Sequence, residues 1–281
     1  MHKLYQDRKV ALLTKHGKQD LLRPILESEL GCLLLHTEEF DTDQLGTFTR
    51  DVDRQGSQLE AARRKAKIGM QLTGADLGIA SEGAFGQDPL TGLIAWNTEI
   101  LLWIDNALGM EVTGIAHGPA QSAHCEIRTP QELKKFLINA KFPEHHIVIR
   151  PENQDHPEIY KNIHDEETLF KAFSSAKKTS KNGLVFVEND LRAFSNPTRQ
   201  NIIKNSAQNL IQKLMSNCPK CATPGFWRTQ RIPGMLCSFC QRKTHLAIAE
   251  LWHCSACAHQ EEREINANEF ADPSKCDFCN P

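Results

Sequence analysis

No apolar run in this sequence approaches the ~20 residues that a helix needs to cross a bilayer. The opening stretch from Met1 to Lys9 lacks the apolar centre of a signal peptide. Basic excess is missing too: the formal net charge is −2, which excludes the balance of a protein that coats nucleic acid. Cysteine is scarce before residue 218, where only Cys32 and Cys125 occur. Cys32 opens the run Cys-Leu-Leu-Leu and reads as a small buried hydrophobe rather than a nucleophile. These absences predict a cytoplasmic protein with no membrane partner. With 281 residues, 40% of them hydrophobic and 24% charged, the chain can bury one sizeable core and a smaller appendage.

Cysteine is concentrated at the other end. Eight of the ten cysteines follow residue 217, as the pairs Cys218/Cys221, Cys237/Cys240, Cys254/Cys257 and Cys276/Cys279. In a reducing compartment, thiols at Cys-x-x-Cys spacing bind metal. Two such pairs complete a tetrahedral thiolate site for Zn²⁺, which has no competing geometric preference. Two structural zinc ions are therefore expected in residues 218–281, as two tandem zinc ribbons. Fifteen residues separate the first two pairs and 18 the last two, which suits hairpins returning to the metal. Sequential pairing is favoured, Cys218/Cys221 with Cys237/Cys240 and Cys254/Cys257 with Cys276/Cys279, because it closes the shorter loops. Iron–sulfur ligation is the rival. His245, His253 and His259 are surplus to eight thiolates.

Charge divides this tail. Residues 218–249 carry five bases (Lys220, Arg228, Arg231, Arg242, Lys243) and no acid, whereas residues 250–281 carry seven acids against Arg263 and Lys275. Two solvated surfaces account for this. Alternatively the first ribbon, with Phe226, Trp227 and Phe239 among its bases, contacts a nucleic acid or another anion.

Residues 1–217 alternate strand and helix patterns, which predicts one mixed, open α/β sheet flanked by helices. Val10–Thr14, Cys32–His36, Leu77–Ala80, Glu99–Asp105, Glu111–Ala116, Ile147–Arg150 and Leu184–Glu188 read as strands. Val10–Thr14 and Leu77–Ala80 are apolar enough for the sheet interior. Helices are expected at Leu21–Leu30, from the capping box Ser57-x-x-Glu60 to Leu72, from Thr129-Pro130-x-Glu132 to Asn139, near Glu166–Ser175, and from Asn196-Pro197 to Met215. Thr37–Gly56 and Pro151–Asp165 read as polar connectors.

Open α/β sheets bind ligands beyond their strand ends, and three segments qualify. Thr14-Lys15-His16-Gly17-Lys18 offers backbone N–H groups, a hydroxyl and two ammonium groups to phosphate, although it is no Walker loop. Ala80-Ser81-Glu82-Gly83-Ala84-Phe85-Gly86 is expected as a loop carrying Glu82 at the sheet mouth, where a carboxylate would hold Mg²⁺ or orient water. Ser81 lacks the Gly-x-Ser-x-Gly frame of a nucleophile elbow. Asn189–Arg199 places Arg192 and Arg199 near a helix start, where they would clamp phosphate.

Taken in order, these segments resemble the inosine-triphosphate-pyrophosphatase-like superfamily, especially its noncanonical purine nucleotide phosphatase branch. Thr14-x-x-x-Lys18 resembles the phosphate loop, and Ser57–Leu72, with Ala61, Ala62, Lys65 and Ala66, resembles the family's helix. Ala75–Gly83 is similar to the central strand that ends in an acid and glycine, and Trp96 to Gly114 to the hairpin that follows. Arg192 matches a late arginine. Where that family has a loop asparagine, this chain has Lys15. The resemblance implies cleavage of a nucleoside triphosphate to a monophosphate and pyrophosphate. Glu82 would bind Mg²⁺ or activate water, with Glu38, Glu39 or Asp41 as a second carboxylate. Lys15, Lys18 and Arg192 would neutralise phosphate, next to Thr14. The whole chain also resembles a bacterial family of unknown function that carries the ribbon pair and closes on Cys-Asp-x-Cys-Asn-Pro. The competing class is a non-catalytic nucleotide or nucleic-acid binder with the ribbons as its contact surface. Glu82 and Lys18 in one cleft favour the enzyme; opposite faces favour the binder.

Overall fold

The computed structural model describes residues 4–42, 56–265 and 269–281. The chain forms two compact units, Met1–Ile211 and Gln212–Pro281. The expected connector Thr37–Gly56 lies mostly outside the described residues.

The first unit opens with β1 (Lys9–Leu13), α1 (Lys18–Leu30), β2 (Leu33–Thr37), α2 (Gln58–Thr73), β3 (Leu77–Gln87), β4 (Ala95–Asp105) and β5 (Met110–Pro119). These strands form a sheet in the order β2-β1-β3-β4-β5. β1 pairs in parallel with β2 and β3, while β3, β4 and β5 pair antiparallel. The connections β1-α1-β2 and β2-α2-β3 run in opposite directions across β1. Both being right-handed crossovers, they set α1 and α2 on opposite faces. The expected capping box of α2 is formed: the Ser57 side chain accepts from the Glu60 amide while Glu60 reaches back to the Ser57 N–H. Small residues on α2 let it lie close to the sheet. Ala62, Ala66 and Met70 pack on Ala11, Ala80, Ile100, Leu102 and Ile104.

The remaining strands form a second sheet where one sheet was expected. Its elements are β6 (His124–Ile127), α3 (Pro130–Asn139), β7 (Ile147–Pro151), β8 (Tyr160–Ile163), α4 (Glu166–Thr179) and β9 (Val185–Asn189). They pair antiparallel in the order β6-β9-β7-β8. α3 and α4 cover this sheet through Leu133, Phe136, Leu169 and Phe173, packed on Ile127, Ile147, Ile149, Val185 and Val187. The Thr129–Glu132 capping box starts α3 as expected. β8 falls in the stretch expected as a connector, and β6 has no counterpart among the expected strands. A 3-10 turn (Ala193–Ser195) then leads into α5 (Pro197–Leu214). The Asn196 side chain accepts from the Arg199 amide at 3.0 Å, capping α5 as expected.

The second unit is built on β10 (Trp227–Pro233), β11 (Ala247–His253) and β12 (Gln260–Glu264), paired antiparallel in that order. Their register decides where the cysteines meet. Trp227 pairs with His253, and His253 with Gln260, so the segments before β10 and between β11 and β12 share one end. The segments between β10 and β11 and after β12 share the other.

Candidate metal centres and a buried charge cluster

The register brings the cysteines together in two groups of four, Cys218, Cys221, Cys254 and Cys257 at one end, and Cys237, Cys240, Cys276 and Cys279 at the other. The expected sequential pairing is thereby overturned: the pairs interleave. The sulfurs of Cys218 and Cys257 lie 3.7 Å apart and those of Cys221 and Cys254 3.6 Å. In the other group, Cys237–Cys279 is 3.8 Å and Cys240–Cys276 is 3.6 Å. A tetrahedron with Zn–S bonds of about 2.3 Å has an edge of about 3.8 Å, so both donor sets fit Zn²⁺. Every pair uses the same local turn. The amide after the second cysteine donates to the carbonyl of the first, from Ala222 to Cys218, Gln241 to Cys237, Ala258 to Cys254 and Asn280 to Cys276.

Hydrogen bonds draw one sulfur of each group toward the thiolate, while protons shared with neighbouring cysteines push Cys257 and Cys279 up. Cys221 is lowered to about 6, first by the Thr223 side chain, and Cys237 to about 7, first by the Cys240 amide. Four thiols this close share their protons, and a dication displaces them. The first group is roofed from within: Phe226, 1% exposed, packs on Cys218 and Cys254. Arg263 stacks over Trp252 at 4.2 Å and over Phe226 at 5.2 Å. His259 stacks on Phe226 and pairs with Glu261 at 3.1 Å, which gives this surplus histidine a packing role.

The first unit contains a different kind of cluster. The expected loop at Ser81–Gly86 is strand: β3 continues to Gln87, and Glu82 pairs with Ile100 of β4. Neighbouring strand residues point to opposite faces, and this separates the charges. Glu82, 2% exposed, faces α2, where Lys65 Nζ lies 2.5 Å from its Oε1. Ser81 points the other way. Lys18 Nζ, at the first turn of α1, donates to the Ser81 carbonyl at 2.6 Å and lies 3.2 Å from its hydroxyl. On that same face Arg199 Nε donates to Glu99 Oε1 at 2.7 Å, with side chains 1% and 0% exposed. Arg199 also donates to the Leu191 carbonyl, and Asn97 Nδ2 to Glu99 Oε1. Burial, and then the Arg199 guanidinium, push the Lys18 ammonium down to about 7.

Gly83 makes room for this arrangement. A Cβ there would sit 2.2 Å from Glu99 Oε1 and 2.6 Å from an Arg199 nitrogen. Only a residue without a side chain lets the ion pair close over the strand.

The other sequence-derived candidates have local partners. Thr14 is buried, and its carbonyl bonds His36 Nε2 at 2.8 Å. Lys15 pairs with Asp41 at 3.0 Å, and Glu38 lies 3.4 Å from His36. The Glu39 amide donates to the Thr37 hydroxyl. Arg192 is held by both carboxylate oxygens of Asp190 and stacks over Phe194 at 4.8 Å. Phe194 in turn packs beside Gly17 and 6.3 Å from His16, which sets the Arg192 segment next to the β1–α1 loop. Lys18 and Glu82 thus occupy opposite faces, and Arg192 is engaged with neither. Sequence reasoning did not assign Glu99 a role. Its signal was an acid two residues from Asn97 and in phase with the buried Leu101 and Trp103.

Fold and donor sets define an α/β protein with a cross-braced C-terminal module whose two four-cysteine clusters can each hold a metal ion such as zinc. Residues 65–281 match the family described as the domain of unknown function DUF6671, and the chain belongs to that family. The match takes in Lys65, Glu82, Glu99, Arg199 and all eight paired cysteines, and begins after β1 and Lys18. No curated protein matches the chain. Among the described residues no helix is long and apolar enough to cross a membrane.

Proposed function

We propose that the α/β unit binds a phosphate-bearing nucleotide at the carboxyl end of β1, beside the middle of β3, with the zinc module as a separate contact surface. One observation carries this reading. Among the described residues the charges acting most strongly on Lys18 are Arg199, Glu99, Glu82 and Lys65, so with Lys18 protonated these groups are three cations and two carboxylates. An unmatched buried cation is costly, and an anion arriving at the end of β1 supplies the missing charge. α1 begins beside it at Gly17, with no side-chain cap on its first amides, and the positive end of a helix favours phosphate.

The division of Lys18 and Glu82 between two faces favours binding over hydrolysis. Magnesium also fits poorly. Glu82 is matched to Lys65 at 2.5 Å and Glu99 to Arg199 at 2.7 Å, which leaves these carboxylates committed to cations of the chain rather than to a hard metal ion. Cleavage of a nucleoside triphosphate to monophosphate and pyrophosphate is the second reading. It is supported by a lysine that titrates near neutrality, where a general acid or base works best.

The two readings separate in one experiment. The protein is incubated with common and deaminated nucleoside triphosphates, with and without Mg²⁺, and followed by thermal unfolding and by chromatography of the nucleotides. A raised unfolding temperature without products supports the binder. Release of monophosphate and pyrophosphate supports the hydrolase. Neither effect with any nucleotide contradicts both.

A further inference from the structure

The two zinc clusters differ in what covers them. Around the first, Phe226 is buried, and Trp227 is half-buried beside Lys213 and Trp252. The nucleic-acid contact expected through Phe226, Trp227 and Phe239 therefore keeps only Phe239. The second cluster has no such roof from these residues. Its two turns read Cys237-Ser-Phe-Cys240 and Cys276-Asp-Phe-Cys279, each with phenylalanine just before the second ligand. The corresponding turns of the first cluster carry Lys220 and Ala256 instead. Phe239 is 81% and Phe278 62% exposed. Together with Cys240, Arg242, Pro273 and Cys279 they line an open groove of about 740 Å³. Leaving two phenyl rings in water at equivalent positions forgoes apolar burial that a partner would recover.

The chemistry of the groove selects that partner. The Arg242 guanidinium carbon lies over the Phe278 ring, 4.2 Å from its centroid, extending the aromatic surface with a cation. Lys243 and Lys275 flank the two turns, and among the described residues no carboxylate lies within ion-pair distance of Arg242, Lys243 or Lys275. The nearby acid Asp277 lies 3.8 Å from His245, and Asp272 caps the turn at Pro273–Lys275. Flat rings, an arginine over one of them and two flanking lysines outside ion-pair distance of any described carboxylate match bases and phosphates presented alternately. Duplex bases are hidden within their stack and cannot lie on such a surface.

We propose that the face of the second zinc cluster binds single-stranded nucleic acid, one base stacking on Phe239 and another on the Arg242–Phe278 pair. This surface is independent of the nucleotide site in the α/β unit.

The test uses the full zinc-loaded chain and fluorescein-labelled oligothymidylate and oligouridylate of about a dozen nucleotides, read by fluorescence anisotropy. Wild-type protein should bind one or both, with affinity falling as salt rises from about 50 to 200 mM. Phe239→Ala and Phe278→Ala should each weaken binding by about five-fold or more, since a stacked base contributes on the order of 1–3 kcal/mol. Both rings are exposed, so the variants should retain two zinc ions and the wild-type unfolding temperature. A duplex of matching length should bind more weakly. Absence of oligonucleotide binding by wild type, or equal binding by the double variant, overturns the proposal. So does an oligoglutamate peptide that binds through the same two rings while oligonucleotides do not, because the face would then be a protein-docking surface.

Discussion

Arg199 Nε donates to Glu99 Oε1 at 2.7 Å, and both side chains are shut off from water. The pair joins the start of α5 to the middle of β4, and Arg199 Nη1 extends the link to the Leu191 carbonyl. It therefore ties the loop after the second sheet onto the first. Arg199→Met should cost about 3–5 kcal/mol in urea unfolding, because Glu99 is left charged and buried. The double variant Arg199→Met/Glu99→Leu should recover most of that loss. Equal losses in the single and double variants would show that packing, not charge, sets the cost.

Gly83→Ala tests the same pair from the strand side. Its Cβ would intrude to 2.2 Å from Glu99 Oε1, so the substitution should destabilise on the scale of Arg199→Met, by about 3 kcal/mol. A change below about 0.5 kcal/mol, the size usual at surface positions, would show that the pair can move aside.

Zinc stoichiometry tests the interleaved pairing. Cys218→Ser/Cys257→Ser damages one cluster and should leave one zinc ion per chain. Cys218→Ser/Cys240→Ser damages both and should leave none, with loss of the fold of residues 218–281, since binding of structural zinc largely supplies folding energy. Under sequential pairing the outcomes exchange: the first variant loses both ions and the second keeps one. Metal analysis of the two proteins decides between them.

Local signals were legible along the chain. Ser57/Glu60, Thr129/Glu132 and Asn196 mark the starts of α2, α3 and α5 where the structure has them, because a cap depends on residues only a few positions apart. The β4–β5 hairpin and the eight clustered cysteines were legible for the same reason. The pairing of those cysteines was not. Doubling a loop costs only about 0.6 kcal/mol in closure entropy, less than the strand register that brings Trp227 opposite His253. The length of β3 was hidden as well. Ser81, Glu82 and Gly83 look like a loop, yet each meets a side chain from a different place: Lys18 of α1, Lys65 of α2 and the Glu99–Arg199 pair. β6 and β8 span four residues each, too few for a periodic pattern to declare itself.

Lys18 makes stability depend on pH in a defined direction. Its folded pKa of about 7 lies below the ordinary 10.5, so between these values the unfolded chain binds more protons and unfolding becomes harder as pH rises. Below pH 7 the full cost of burying the charge is present. Lys18→Met removes that cost, so the variant's stability advantage over wild type should be largest below pH 7. It should shrink by about 1 kcal/mol per pH unit as pH increases above 7. Urea midpoints of the two proteins across this range measure it, and a difference that does not change with pH would contradict the assignment.

The nucleotide reading is tested most directly by proton uptake on binding. A phosphate next to Lys18 raises its pKa back toward the ordinary value, so at about pH 8 binding should draw roughly one proton from the buffer. Calorimetric titration of the full chain with a nucleoside triphosphate, in two buffers of different ionisation enthalpy, reads that proton. Wild type should take up about one proton per nucleotide, and Lys18→Met should bind more weakly and without uptake. No binding by wild type, or the same uptake in both proteins, would contradict it.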